Sequence, residues 1–256
     1  MAAHCFPLAV YHLAGGATVG QSIANPLLDF QQSVVSTINV LDFLRCSAPQ
    51  TPVVLASSAA VYGGGYSRPL QVDDHPNPYS PYGYHKLMVE ELGRSYWATY
   101  GISVSVVRLF SVYGEGLRKQ LLWDLCQRLA RGHDRIVLGG TGEETRDWHH
   151  VSDVIHALRR TLPVREGQFA IYNGGAGMAA SVDSVARLVL AAWGANCTLS
   201  FSGESRPGDP VSLVSDPRGV SAGWQPTVSL ATGIAAYVDW YRAQAPSDAR
   251  IENARR

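Results

Sequence analysis

The stretch from Pro52 to Leu109 constrains the fold of this chain most. Pro52-Val53-Val54-Leu55-Ala56 is an uninterrupted apolar run that ends in Ser57-Ser58, and Ile102-Ser103-Val104-Ser105-Val106-Val107-Arg108-Leu109 reads as a further strand. Short apolar runs bounded by turn signals read as strands buried on both faces. Between them lie a Gly-rich turn, a polar loop and a helical pattern from Pro81 to Tyr100. Ser80 suits the N-cap of that helix, and Pro81 suits its first position, where a missing N–H costs nothing. Strand, helix and strand in this order dictate a right-handed crossover and a parallel sheet. In such sheets the chemistry sits beyond the carboxyl ends of the strands. Ser57-Ser58 and Phe110-Ser111 both fall there.

Tyr82 and Lys86 are four apart on the helix and share one face. An ammonium beside a phenol favours the phenolate, so Lys86 is expected to lower the pKa of Tyr82. With the Ser58 hydroxyl on the same substrate oxygen, the three form a proton-transfer site for a sugar or alcohol hydroxyl. The plainer reading is a surface tyrosine beside a solvated lysine. Against it, the chain has only two lysines, Lys86 and Lys119, among its 21 basic residues. A compact ammonium has been kept where arginine is otherwise the rule.

Ser57-Ser58-Ala59-Ala60-Val61-Tyr62-Gly63 and Pro81-Tyr82-Gly83-Tyr84-His85-Lys86 resemble the active-site segments of the NAD-dependent epimerase/dehydratase family, the extended short-chain dehydrogenase/reductases. The likeness is strongest to the UDP-glucose 4-epimerase branch. It implies an α/β chain with a Rossmann-type doubly wound parallel sheet and a small C-terminal α/β substrate-binding domain. Residues 1–115 would form a partial NAD-binding domain, to which segments near 142–175 return, and 116–256 would mainly bind substrate. The resemblance makes Tyr82 the acid/base, with Lys86 and Ser58 completing the catalytic set. It gives NAD the turn Leu13, Ala14 and Gly15 together with Ser57, Tyr82 and Lys86. It gives a nucleotide-diphosphate sugar Ser58, Ser111, Arg146 and Arg206. Ser111 stands where the family usually has Asn, and Leu213 where some epimerases have a bulky Tyr, which implies a roomier pocket. The positions at which dehydratases carry an acidic pair are Ala59 and Ala60, so dehydration lacks its acid and base. The implied activity is 4-epimerisation with NAD. An NAD(P)-dependent 4-ketosugar reductase and a non-catalytic sugar-nucleotide-binding paralogue stay open. A homodimer through helices 27–45 and 81–100 is also implied.

The family opens with a strand and a Gly-x-x-Gly-x-x-Gly turn leading into a helix, whose N-terminus holds the pyrophosphate. No such pattern occurs in this sequence. By resemblance the strand at Leu8–Ala14 is the family's fourth. The first three strands are therefore expected to be missing, Leu8–Ala14 to be an apolar edge strand, and NAD to be held poorly.

Composition excludes other classes. The chain is 46% hydrophobic and 16% charged with a formal net charge of zero, which favours neither nucleic acid nor an anionic membrane. Four scattered cysteines read as reduced thiols in a cytoplasmic protein. His149 and His150 are neighbours on an extended segment and point to opposite faces, so no metal site is expected. Further expected elements are a helix from about Leu27 to Arg45, helices Gln120–Arg131, Val182–Trp193 (capped by Ser181) and Leu230–Arg242, strands at Ile136–Leu138 and Leu199–Phe201, and a strand with its Gly turn over Phe169–Gly175. The tail from Ala245 is expected to fray.

Overall fold

The computed structural model describes residues 6–16, 18–162, 166–204, 210–218 and 224–253, with 245–253 as helix backbone only. In chain order the strands are β1 (Val10–His12), β2 (Val53–Ser58), β3 (Val104–Leu109), β4 (Ser111–Tyr113), β5 (Arg135–Leu138), β6 (Thr145–His150), β7 (Phe169–Gly174), β8 (Ala179–Ser181), β9 (Thr198–Phe201) and β10 (Ser212–Leu213). The helices are α1 (Val19–Ala24), α2 (Pro26–Phe30), α3 (Ser36–Ser47), α4 (Pro81–Tyr100), α5 (Gln120–Ala130), α6 (Val151–Arg160), α7 (Val182–Trp193) and α8 (Leu230–Asn253).

The main sheet has the order β1-β2-β3-β7 and is parallel throughout. Its register aligns His12 with Leu55, Leu55 with Val106 and Val106 with Ile171, so the carboxyl ends of the strands open on one edge. Both faces are covered. Leu41, Leu44 and Val89 of α3 and α4 pack on Val53, Leu55, Val104 and Val106. Val154 and Leu158 of α6 pack on Val54 and Val107. This burial is why β2 opens as a continuous apolar run, Val53 to Ala56, and not as an alternating one. A Cβ on Gly93 of α4 would lie 2.9 Å from Leu55 Cδ1 and 3.1 Å from Val104 Cγ1, so glycine lets the helix settle closely on the sheet. β1 pairs with β2 alone among the described strands, and Leu8 and Leu13 beside it are exposed, as expected of an apolar edge.

A second sheet has the order β10-β6-β4, with β8 antiparallel to β6, and β5 pairs with β9. Here the core lies between α5, α7 and α8 and is built on Leu125, Val185, Val189, Ile234 and Tyr237. Asp147 on β6 accepts from the backbone N–H of Gly177, Met178 and Ser215, which ties this sheet to the turn after β7. No helix of the described residues is long and apolar enough to cross a membrane.

Three expected elements differ. The strand Leu8–Ala14 contracts to Val10–His12. The helix expected at 27–45 is α2 and α3 joined by a π-helical turn, Gln31–Val35, with Asn25 capping α2 through Leu28 N–H. The closing helix runs on to Asn253, so the backbone after Ala245 is helical where fraying was expected.

Candidate active site

Ser80 caps α4 as the sequence predicts: its hydroxyl accepts from Gly83 N–H at 3.3 Å, and Pro81 occupies the first turn. A second hydroxyl, from Ser22 of α1, accepts from Tyr82 N–H at 3.0 Å. α1 thereby fixes the start of the helix that presents Tyr82. Ser58, at the end of β2, bears on the Tyr82 hydroxyl and pulls its pKa down. The Ser58 side chain also accepts from Ala60 N–H at 3.2 Å, which sets its rotamer. One turn on, Lys86 is 4% exposed, and its ammonium donates to the Ala56 carbonyl at 3.0 Å.

These groups line a cavity of about 780 Å³. Leu13, Gly15, Ser57, Ser111 and Arg146 line it as well. Ala14 is exposed and is not among the lining residues. Arg206 and its motif lie outside the described residues. Ser57 reaches the cavity wall, but its hydroxyl donates to Glu90 at 2.5 Å.

The expected effect of Lys86 on Tyr82 is not what the geometry produces. Burial raises the Tyr82 pKa above the ordinary phenol value; the Ser58 hydrogen bond opposes this and the Asp29 charge adds to it. The Lys86 nitrogen is 5.8 Å from the Tyr82 ring centroid and is aimed at the Ala56 carbonyl. Desolvation therefore outweighs the cation. Burial also lowers the Lys86 pKa, against the pull of Asp29. His12, whose Nε2 lies 3.2 Å from Thr37 Oγ1, is lowered by burial and by Lys86.

A profile of the NAD dependent epimerase/dehydratase family matches residues 1–175. The chain belongs to this family. It is 31% identical over 257 residues to a UDP-glucose 4-epimerase of Azospirillum brasilense, covering 92% of this chain and 73% of that one. Among solved structures it resembles MoeE5 in complex with UDP-glucose and NAD, at 32% identity and a TM-score of 0.84, over 93% of this chain and 80% of MoeE5. MoeE5 is also known in complex with UDP-glucuronic acid and NAD. The UDP-glucose 4-epimerase of Thermus thermophilus in complex with NAD matches at 29% identity and a TM-score of 0.81, over 92% of this chain and 78% of that one.

This member of the epimerase/dehydratase family supports its site with groups that the sequence motifs do not single out. Arg108 donates to Glu90 through both Nε (2.9 Å) and Nη2 (2.7 Å), and through Nη1 to the Tyr62 hydroxyl (2.8 Å). Tyr62 donates to Asn173 Oδ1 at 2.6 Å. This buried chain joins α4, β2, β3 and β7 just behind Ser58. On the other side Asp29 of α2 meets His85 of α4 at 2.5 Å. Tyr62 lies in the Ser57–Gly63 segment and Arg108 in the Ile102–Leu109 strand, but nothing in their spacing points to Glu90.

Proposed function

We propose that this chain is a nucleotide-sugar 4-epimerase of the UDP-glucose/UDP-galactose type with NAD as its cofactor. The observation that carries this reading is that Ser58, Tyr82 and Lys86 line one cavity, whose wall at positions 59 and 60 is alanine. Tyr82 takes the proton from the sugar 4-hydroxyl and returns it after the sugar has turned, while Ser58 holds the same oxygen. The cavity fits the nicotinamide-ribose end of NAD. Leu13, Gly15, Tyr82 and Lys86 converge there, and a Cβ on Gly15 (φ +149°) would come within 3.0 Å of the Lys86 nitrogen and fill that space. When bound, NAD supplies the hydride acceptor and donor. The sequence holds no Gly-x-x-Gly-x-x-Gly cradle, so these residues alone are expected to hold NAD weakly. We assign Arg146 to the diphosphate, for which a guanidinium has the right geometry, and Arg206 to the same role on its motif. In this reading the main sheet carries the dinucleotide and residues 116–256 mainly the sugar nucleotide. Leu213 lines the cavity, which supports a roomy sugar pocket. The free thiols Cys46, Cys126 and Cys197 support a cytoplasmic location.

The discriminating experiment is cofactor balance. UDP-galactose with NAD should give UDP-glucose with no net NADH formed. Net oxidation of NADPH by a 4-keto sugar nucleotide would assign a reductase instead, and UDP binding without turnover a non-catalytic protein.

We also propose a homodimer through helices 27–45 and 81–100. Leu27, Phe43, Tyr84 and Met88 on these helices are 66%, 51%, 49% and 44% exposed, large apolar side chains that a second copy would cover. Light scattering should give twice the chain mass, and Phe43→Glu with Met88→Glu should give monomer. A monomeric parent protein at tens of micromolar would overturn the dimer.

A further inference from the structure

A buried ammonium is stable only beside a countercharge or after losing its proton. Lys86 is 4% exposed, and the charged and titratable groups around it are few. From its own helix, Glu90 is one turn away, but Arg108 neutralises it through two hydrogen bonds. Tyr82 and His85 share that helix. From β1 comes His12, which is 8% exposed and bears on Lys86 as a second potential cation. From α2 comes Asp29, which is 4% exposed. Across the cavity lie Glu115, Lys119 and Arg146, with Glu115 held by His150 at 3.0 Å.

Asp29 is fixed from several sides. Its Oδ2 meets His85 Nδ1 at 2.5 Å, and the His85 ring stands edge-on to Phe30 with centroids 5.5 Å apart. The turn Gly15-Gly16 separates Asp29 from Lys86. A Cβ on Gly16 would fall 1.7 Å from Asp29 Oδ1, and one on Gly15 would fall 3.0 Å from the Lys86 nitrogen. Adjacent residues of one turn thus touch the carboxylate and the ammonium. Ser33, in the π-helical turn, anchors this turn by accepting from Gly16 N–H at 2.9 Å.

We propose that Asp29, held in place by His85, is a positioning residue whose buried carboxylate keeps Lys86 charged beside Tyr82. The direction of the Lys86 pKa agrees: burial lowers it and Asp29 raises it. This inference deepens, and rests on, the reading of Tyr82 and Lys86 as the proton-transfer pair.

The composition supplies the test. With only Lys86 and Lys119 in the chain, protein labelled with ¹³Cε-lysine gives two lysine resonances, which Lys119→Arg assigns. In Asp29→Asn the Lys86 midpoint should move to lower pH while Lys119 stays in place. A Lys86 midpoint that is unchanged or higher would overturn the proposal. If Asp29→Asn does not fold, His85→Gln tests the same point: with Asp29 released from its clamp the Lys86 midpoint should move to lower pH while Lys119 stays in place, and an unmoved Lys86 would overturn the proposal. These spectra report Lys86 whether or not the protein turns over a sugar nucleotide, so failure of the epimerase reading is seen separately. Where turnover is present, Asp29→Asn should also move the alkaline limb of kcat/KM to lower pH.

Discussion

Replacing Tyr82 by Phe is expected to lower the conversion of UDP-galactose by a factor of about 10² to 10⁴, the usual worth of a positioned acid/base. Ser58 is the hydrogen-bonding group that bears on the hydroxyl removed. The cost to folding should therefore be small, about 1 kcal/mol. Lost turnover with an intact melting transition separates a chemical role from a structural one. The pH dependence follows from the same geometry. Burial raises Tyr82 above the ordinary phenol value and lowers Lys86 below the ordinary amine value. Free protein at neutral pH thus holds Tyr82 as the phenol. kcat/KM should climb toward alkaline pH as the Tyr82–Lys86 pair loses its first proton, and fall again once the second is lost. The two limbs describe the pair as a unit and not either residue alone. Activity in Tyr82→Phe close to that of the parent would assign the proton transfer elsewhere.

The largest effect on stability is expected at Glu90. Glu90 and Arg108 are 1% and 3% exposed and bonded at 2.9 and 2.7 Å. Burial pulls the Arg108 guanidinium down, and Glu90 more than reverses this. Glu90→Ala leaves that cation buried without its partner and also strips Ser57 of its acceptor. Removing one member of a buried pair costs about 3–5 kcal/mol, a large share of the ~5–15 kcal/mol that holds a typical domain. The double replacement Glu90→Leu with Arg108→Met should recover much of the loss, because no unpaired charge remains. Urea unfolding measures both. A loss below about 1 kcal/mol in Glu90→Ala would mean that water reaches the guanidinium and that the network is weaker than its geometry suggests.

What could be read from the sequence was local. α4 begins at Pro81 and α7 at Val182 because each has a serine cap one residue earlier, and cap chemistry depends on adjacent residues. β2 was legible because burial on both faces leaves an uninterrupted apolar run from Val53 to Ala56. The Ser58, Tyr82 and Lys86 cluster followed from strand and helix placement alone. The misses have non-local causes. β1 is shorter than its apolar run because only one neighbour is present among the described strands to extend the ladder. The π-helical turn at Gln31–Val35 lies in a run without Gly or Pro, so nothing in the local sequence reveals it. Asp29 and His85 are 56 residues apart, and Glu90 and Arg108 are 18 apart on different elements. Spacing does not say which polar groups turn inward to meet. The pKa of Tyr82 was misjudged for the same reason: the neighbouring cation was visible in the sequence, while the depth of burial was not.

The most direct measurement is the conversion of UDP-galactose carrying deuterium at C4, with NAD present, followed by NMR. The expected result is UDP-glucose that keeps the deuterium at C4, with none formed in Tyr82→Phe. Epimerised product that has lost the label to solvent would contradict the account, as would unchanged UDP-galactose in protein shown to bind both NAD and UDP.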